Sequence, residues 1–375
     1  MKQPMWQLSR FRPMTKAMEL VVFLILVTGC STAVRYTSLD LDLLPCEQGN
    51  APVFFKAIEF DKSGSQLFPK QLQELKNEFR DKEIKDLVVF VHGWNKNPSS
   101  AEQDYQNFLC RLHGRLRMMS GGPNKERSEL LVLGVFWPST ITNRDQEPFL
   151  LLPASYYQIR DRAEEIGALG LAPVLTDLIP YIQRHSTRLH LIGHSFGGRI
   201  LVRALRKMQT TDQLIPFIEA SDELNVVLAN AAMSADNFNW ILADVTREKR
   251  KGDRPSRFGG MSSSYLFNVH SLNDTANRIL FRLASAFNDD PAECAAGACG
   301  VPDFPTVCLS ESGDFKLEQA PPEVKSDLHA WNIDATKIVF DHSDIYKGRV
   351  ATLIANLLYD EAVRARFLSS RPAPC

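Results

Sequence analysis

The stretch HLIGHSFGGRILVRAL (residues 190–205) indicates a strand, a sharp turn and a helix at the centre of the fold. Its first part is apolar, and its second part carries apolar residues at the 3.6-residue spacing of a helix. Between the two lies Gly-x-Ser-x-Gly, with Ser195 between Gly193 and Gly197. Such a turn strains and exposes a serine, and the glycines let neighbouring backbone approach it. A serine that only caps the helix is the alternative, so the nucleophile interpretation depends on finding a base and an acid elsewhere.

Strand and helix patterns alternate along the rest of the chain. Runs that are apolar on both faces are typical of parallel strands covered by helices on each side. The alternation predicts an α/β fold with a mainly parallel, doubly wound sheet and helices on both faces. The predicted strands are residues 53–60, 87–91, 130–136, 188–192, 225–229, 265–269 and 337–340, and the predicted helices are residues 69–79, 101–116, 157–167, 172–183, 199–208 and 350–359.

A nucleophilic serine needs a histidine that takes its proton, at the carboxyl edge of the sheet where ligands bind. His342 follows the predicted strand 337–340 by two residues and therefore reaches that edge, whereas His329 precedes the strand and lies at the opposite edge. We predict His342 as the base, against the alternative that it is a surface histidine in a loop.

The carboxylate that orients this base should follow a neighbouring strand. Asp274 lies after the predicted strand 265–269, and Asp236 lies after the preceding strand, 225–229. The chain order of nucleophile, acid and histidine in such sites favours Asp274. Asp236 stays open as the alternative acid, and either aspartate could instead cap a turn.

Attack on a carbonyl group creates an oxyanion that needs preorganised N–H donors. The residue after the nucleophile, Phe196, supplies one backbone N–H. The loop after the strand 87–91 reads His-Gly-Trp and predicts the backbone N–H of Trp94 as the second, with His92 bracing that loop.

The N-terminus combines basic residues with a short apolar run at 20–27 that ends in Val-Thr-Gly-Cys30. This pattern is typical of a secretory signal and is too short for a membrane span, although a buried N-terminal strand is the alternative. The ending resembles the bacterial lipobox, which implies that Cys30 is acylated with a fatty acid such as palmitate. Ser31 implies the outer rather than the inner membrane. We therefore expect a signal peptide at residues 1–29, a tether at 30–50 and a lipid-anchored domain at 51–375, on the periplasmic side of the bacterial cell envelope.

Composition and cysteines limit the partners. The chain is 44% hydrophobic and 23% charged, with a net charge of −1, which is typical of a globular protein and gives no indication of nucleic acid binding. The six cysteines besides Cys30 favour disulfides in an exported protein, and their spacing does not match a usual zinc site, so we expect no metal. The segment 288–322, rich in Cys and Pro, predicts an insertion over one end of the sheet.

The order of these motifs resembles the α/β-hydrolase fold over about residues 51–368. Within it, VVFVHGW, GHSFGG, SLNDTA and DHSDIYKG resemble a bacterial group of largely uncharacterised, lipoprotein-type serine hydrolases. The resemblance implies the same Ser, Asp and His and no cofactor. We expect an exported serine hydrolase that cleaves a small-molecule or lipid ester, or an amide or thioester, through an acyl-enzyme. A non-catalytic envelope scaffold on the same fold and an acyltransferase are the alternatives.

Overall fold

The computed structural model describes residues 43–44, 46, 53–94, 96, 98–119, 130–140, 152–238, 264–281, 294–302, 304–309, 315–316, 329–360 and 363. The expected signal peptide, the lipobox cysteine Cys30 and most of the expected tether lie outside the described residues.

The described residues form one sheet of ten strands. Its spatial order is β1-β2-β4-β3-β5-β6-β7-β10-β8-β9. The eight strands from β2 to β8 in this order are parallel, and β1 and β9 pair antiparallel at the two ends. The strands are β1 (Leu43–Leu44), β2 (Val53–Glu59), β3 (Asp86–Val91), β4 (Leu130–Phe136), β5 (Arg188–His194), β6 (Leu224–Ala229), β7 (Ser264–His270), β8 (Thr306–Leu309), β9 (Phe315–Lys316) and β10 (Ala330–Asp334).

Helices cover both faces of the sheet. The central strands β3 and β4 are buried along their whole length, because alternate side chains enter two separate apolar cores. One core contains residues of α1, α3, α4, α5 and α6, and the other contains residues of α2 and α8. The predicted doubly wound architecture is therefore confirmed. The helices are α1 (Pro69–Asp81), α2 (Pro98–Met119), α3 (Leu152–Glu165), α4 (Ala172–His185), α5 (Phe196–Thr210), α6 (Leu214–Ala220), α7 (Ala296–Cys299) and α8 (Gly348–Tyr359).

The helices α3 and α4, predicted as two elements, are joined by the π-helical segment Ile166–Leu171 into one long helical rod. This segment passes close to α5: a Cβ atom on Gly167 would lie 2.6 Å from the carbonyl oxygen of Ile200. The helix Ser155–His185 has the length and composition of a membrane span. However, its residues Val174 and Leu178 are fully buried in one core of the sheet, as in the core helix of a globular domain.

The prediction of a last strand at 337–340 is wrong. The last strand among the described residues is β10, and the chain then turns, with the N–H groups of Ile338 and Val339 both bonding to the carbonyl oxygen of Ala335. Ile338 and Val339 are apolar because they pack into the core beneath α8, not because they pair with a neighbouring strand. The other six predicted strands lie within two residues of their predicted positions.

The segment 288–322 contributes to the sheet itself. Its described residues include β8 and β9, which extend the sheet beyond β10. The predicted disulfides are present: Cys46 is bonded to Cys110, and Cys294 to Cys299. Cys308 is disulfide-bonded as well. The Cys46–Cys110 bond links the end of the expected tether to α2.

Candidate active site

Ser195 occupies the sharp turn between β5 and α5. Its backbone has φ +55° and ψ −121°, which is rare for a residue with a side chain. Glycine is required beside it, because a Cβ atom on Gly197 would lie 2.1 Å from the carbonyl oxygen of Val91. The N–H of Ser195 donates to Ala229 at 3.0 Å, and this bond fixes the turn to β6.

The structure brings His342 and Asp274 to Ser195, although the three residues are far apart in sequence. The Nε2 atom of His342 lies 2.8 Å from Ser195 Oγ, and its Nδ1 atom lies 2.8 Å from Asp274 Oδ2. A carboxylate can only accept, so Nδ1–H donates to Asp274 and Nε2 accepts from the serine hydroxyl. This is the tautomer that a base beside a serine needs.

The turn that carries His342 forms for local reasons. His342 begins a 3₁₀ helix, His342–Tyr346, whose first turn is closed by a capping box between Asp341 and Asp344. The carboxylate of Asp344 also accepts from the N–H of Phe340 at 2.9 Å. The sequence DHSD therefore fixes the backbone of His342 without a strand immediately before it.

Two asparagines connect Asp274 to His342. Asn277 donates to Asp274 through its backbone N–H at 2.9 Å and through its side chain at 2.8 Å, which satisfies the buried carboxylate. The same side chain donates to the carbonyl oxygen of Asn230 at 2.6 Å. Asn230, in turn, donates to the carbonyl oxygen of His342 at 3.2 Å.

Asn230, Asn277 and His194 were not predicted from the sequence. Asn230 directly follows β6 with φ +49°, a conformation that asparagine tolerates better than most residues, so its position offered a signal. His194 was visible as the residue before the nucleophile. It bonds through Nε2 to the carbonyl oxygen of His342 at 2.9 Å.

Trp94 and Phe196, the predicted oxyanion donors, lie on either side of the turn. Phe196 is the first residue of α5, so its N–H precedes the first intrahelical hydrogen bond. The loop after β3 lies directly against the serine, since a Cβ atom on Gly93 would be 2.9 Å from Ser195 Cβ. The rings of Trp94 and Phe196 pack edge to face, with centroids 5.7 Å apart.

His92 braces this loop. It is fully buried, its Nδ1 atom lies 2.9 Å from the carbonyl oxygen of Gly93, and its own carbonyl oxygen accepts from the indole N–H of Trp137 at 3.0 Å. Burial lowers the pKa of His92 to about 3, so the ring stays neutral and does not repel a positive charge at the site.

The structure does not bring the alternative acid to the base. Asp236 lies in the 3₁₀ turn Ala235–Phe238, where it is exposed, and His342 bonds to Asp274 instead. His329 lies directly before β10 and is thus at the amino edge, as expected. Within the described ranges, no group of three or more His, Cys, Asp or Glu side chains could hold a metal ion.

A sequence model of the family described as "Alpha/beta hydrolase of unknown function (DUF900)" matches residues 69–257, half of the chain. The chain belongs to this family of α/β-hydrolases. The matched segment contains Ser195 and the loop with Trp94, whereas Asp274 and His342 lie beyond it. Membership of this family thus supports hydrolase activity in general. It does not identify the bond that is cleaved.

Two solved structures resemble this α/β-hydrolase distantly. A lipase-esterase related protein from Clostridium acetobutylicum ATCC 824 is 14% identical over 73% of this chain and 95% of its own, with a TM-score of 0.26. Phospholipase PlaB from Legionella pneumophila, in complex with thio-NAD, is 12% identical over 76% of this chain and 61% of its own, with a TM-score of 0.31. Neither score bears on the substrate of this chain. No curated protein matches it.

Proposed function

We propose that this α/β-hydrolase is a serine hydrolase that cleaves a carboxylic ester through an acyl-enzyme. Ser195 is the nucleophile, His342 the general base and Asp274 the orienting acid. The observation that carries the proposal is the continuous chain of two 2.8 Å hydrogen bonds from the buried carboxylate to the hydroxyl on the strained turn. A serine that only capped the helix would need neither bond.

In the proposed acylation step, Ser195 Oγ attacks the ester carbonyl while His342 Nε2 takes its proton. Asp274 stabilises the imidazolium, and the backbone N–H groups of Phe196 and Trp94 donate to the oxyanion. Collapse of the tetrahedral intermediate breaks the bond to the alkoxy group, which leaves as an alcohol with the proton from His342.

Deacylation repeats these steps with water. His342 removes a proton from water, which attacks the acyl-serine, and the same donors hold the second oxyanion. When the intermediate collapses, the proton returns to Ser195 Oγ and the carboxylic acid leaves. No metal or cofactor enters this scheme.

An apolar acyl group suits the surroundings of the acid and the base. Leu272, two residues before Asp274, is 47% exposed, and Phe340, two residues before His342, is 63% exposed. Their loops are tied together, because the hydroxyl of Ser271 donates to the carbonyl oxygen of Val339 at 2.7 Å. Two large apolar side chains on a fixed pair of loops favour a substrate with an apolar chain.

The experiment is a panel of p-nitrophenyl esters from acetate to palmitate, with Ser195→Ala as the control. The wild-type protein should hydrolyse the esters, and the variant should lose turnover by a factor on the order of 10⁶ without a change in its melting temperature. Equal rates for the two proteins would exclude the proposed nucleophile, and a folded wild type without turnover on any ester would favour the scaffold alternative. Added alcohol as an acceptor separates acyl transfer from hydrolysis.

We also propose that the protein is exported and anchored through acylated Cys30 to the periplasmic side of the outer membrane. The disulfides Cys46–Cys110 and Cys294–Cys299 support an oxidising compartment. Cys30→Ser should abolish labelling with palmitate and release the protein from the membrane fraction. Palmitate labelling that survives in Cys30→Ser, or wild-type protein found in the cytosol, would contradict the anchor.

A further inference from the structure

His194, the residue between the glycine and the serine of the turn, has no part in the mechanism above. Its buried ring nevertheless lies between the base and a tyrosine. Nε2 is 2.9 Å from the carbonyl oxygen of His342, and Nδ1 is 3.1 Å from the hydroxyl of Tyr346. The rings of His194 and His342 are 4.9 Å apart between centroids.

The partners of His194 determine its tautomer. A carbonyl oxygen can only accept, so Nε2 carries the hydrogen and donates to His342. Burial, and next the charge that His342 gains, hold the pKa of His194 well below its usual value, so the ring is neutral. A neutral ring has one hydrogen, so Nδ1 is left as an acceptor, 3.1 Å from the hydroxyl of Tyr346. Burial, followed by the charge of Asp104, raises the pKa of Tyr346 well above its usual value, so the hydroxyl keeps its single hydrogen, for which Nδ1 and the carboxylate of Asp104 compete.

We propose that His194 is a positioning residue for His342, held in the neutral, Nε2–H form by the carbonyl oxygen of His342 to which it donates. This proposal rests on the proposed function, because the positioned group is the base of that reaction. His194 holds the backbone of the base through the bond to its carbonyl oxygen. It also adds no charge when His342 becomes an imidazolium during acylation.

The absence of a second positive charge beside His342 has a large effect. At an effective dielectric constant of about 20, a second positive charge about 5 Å away would disfavour the imidazolium by a factor on the order of 10². The other charged or titratable groups around His194 also add no unpaired positive charge. His92 is buried and neutral, and the ammonium group of Lys96 is paired with Asp104 at 2.5 Å. The ring therefore faces no unpaired cation among the described residues.

The same contacts connect the base to the loop that is proposed to hold the oxyanion. Lys96 follows Trp94 in that loop, and its ammonium group lies 5.3 Å from the centre of the Tyr346 ring. The backbone N–H of Lys96 donates to the hydroxyl of Ser139 at 3.1 Å, which fixes the loop to the end of β4. Tyr346 thus contacts both sides of the site.

Glutamine and asparagine at position 194 form a matched pair of variants. The amide nitrogen of glutamine reaches the position of Nε2 and can donate to His342, whereas that of asparagine reaches only the position of Nδ1. His194→Gln should keep kcat within about fivefold of wild type, and His194→Asn should lower kcat by about 10- to 100-fold with KM unchanged. The loss is partial because Asn230 still donates to the same carbonyl oxygen.

The test has one readout that is independent of turnover. In ¹⁵N-histidine NMR, with His194 assigned from the spectrum of His194→Gln, wild type should show a neutral Nε2–H ring at neutral pH, and Tyr346→Phe should keep this tautomer, because the carbonyl oxygen of His342 is still the acceptor. A protonated ring at neutral pH, or an Nδ1–H ring in wild type, would overturn the proposal whether or not the protein hydrolyses esters. Equal kcat for the Gln and Asn variants, with wild type active, would overturn it while leaving the proposed function intact.

Discussion

The chain pairs histidine with aspartate at both edges of its sheet, with different results. At the carboxyl edge, His342 bonds to Asp274, and its other nitrogen accepts from Ser195. At the amino edge, His190 in β5 bonds through Nε2 to Asp86 at the start of β3, at 3.1 Å. The ring of His342 is 20% exposed, and that of His190 is fully buried.

The second nitrogen of each ring makes the difference. Nδ1 of His190 lies 3.1 Å from the side-chain nitrogen of Asn225, and the ring packs against Tyr359 with centroids 4.7 Å apart. Every side of this imidazole is thus occupied by the protein, and no substrate can reach it. The pair His190–Asp86 serves the fold, and the pair His342–Asp274 is free to serve a reaction, although the chemical groups are identical.

The carboxyl-edge pair can be broken with a change that preserves its shape. Asp274→Asn removes the acceptor that fixes the tautomer of His342, and in a comparable triad this change costs about 10⁴ in turnover. Asp236→Asn is the matched control and should be nearly silent, because Asp236 is exposed in a turn away from the base. Steady-state kinetics on the most reactive ester measures both. A severe loss in Asp236→Asn with a silent Asp274→Asn would place the acid after β6 instead.

Asn277 donates hydrogen bonds to the aspartate of the carboxyl-edge pair and has no counterpart role in the amino-edge pair. Asn277→Ala should lower kcat by about tenfold, because a hydrogen bond to a charged group contributes on the order of 1.5 to 3 kcal/mol and only part of it changes during the reaction. The activity of the variant should be measured per folded molecule, with the melting temperature as a control. No change in kcat would show that the hydrogen bond from the side chain of Asn277 is not needed to hold Asp274.

The amino-edge pair should respond in stability and not in activity. Burial alone would raise the pKa of Asp86, but the hydrogen bond from His190 and the charges of His190 and Arg188 outweigh it and lower the pKa to about 2. A pKa lowered from about 3.8 contributes about 2 kcal/mol to the free energy of unfolding above pH 4, and this contribution is lost as the pH falls from about 4 to 2. The free energy of unfolding of Asp86→Asn should be about 2 kcal/mol lower than that of wild type at pH 7, and its kcat should equal that of wild type.

Urea unfolding at pH 7 and at pH 3 checks this prediction. The difference in stability between wild type and Asp86→Asn should shrink at the lower pH, because the wild-type carboxylate is losing its contribution there. A difference that does not depend on pH would mean that the variant acts through packing. A loss of kcat in a fully folded Asp86→Asn would break the distinction between the two edges.

The sequence predicted the catalytic candidates better than their surroundings. Ser195, Asp274 and His342 follow buried strands or turns at one edge, and a parallel sheet brings such positions together whatever their separation in sequence. The strand predicted at 337–340 was wrong, yet His342 still reached this edge, because it follows β10, whose last residue Asp334 is paired in parallel with the last residue of β7.

Contacts between distant side chains could not be predicted in this way. The sequence AWNID of β10 lacks the apolar run that identified the other strands, because Asn332 points into a buried polar cluster with Asn268. Likewise, His190 and Asp86 are 104 residues apart, and only the parallel register of β3 and β5 brings them together. Sequence periodicity predicts which face a residue occupies, and the identity of its neighbour depends on strand order.

Covalent labelling of Ser195 tests the central claim most directly. A fluorophosphonate reacts with a serine only where a base has activated the hydroxyl, and mass spectrometry of peptides identifies the labelled residue. We predict one adduct, on Ser195, which forms in wild type and in Asp86→Asn at the same rate and is lost in His342→Ala. An adduct that forms equally fast in folded His342→Ala, or folded wild-type protein that takes no label on Ser195, would contradict the assignment of the carboxyl-edge pair as the reactive one.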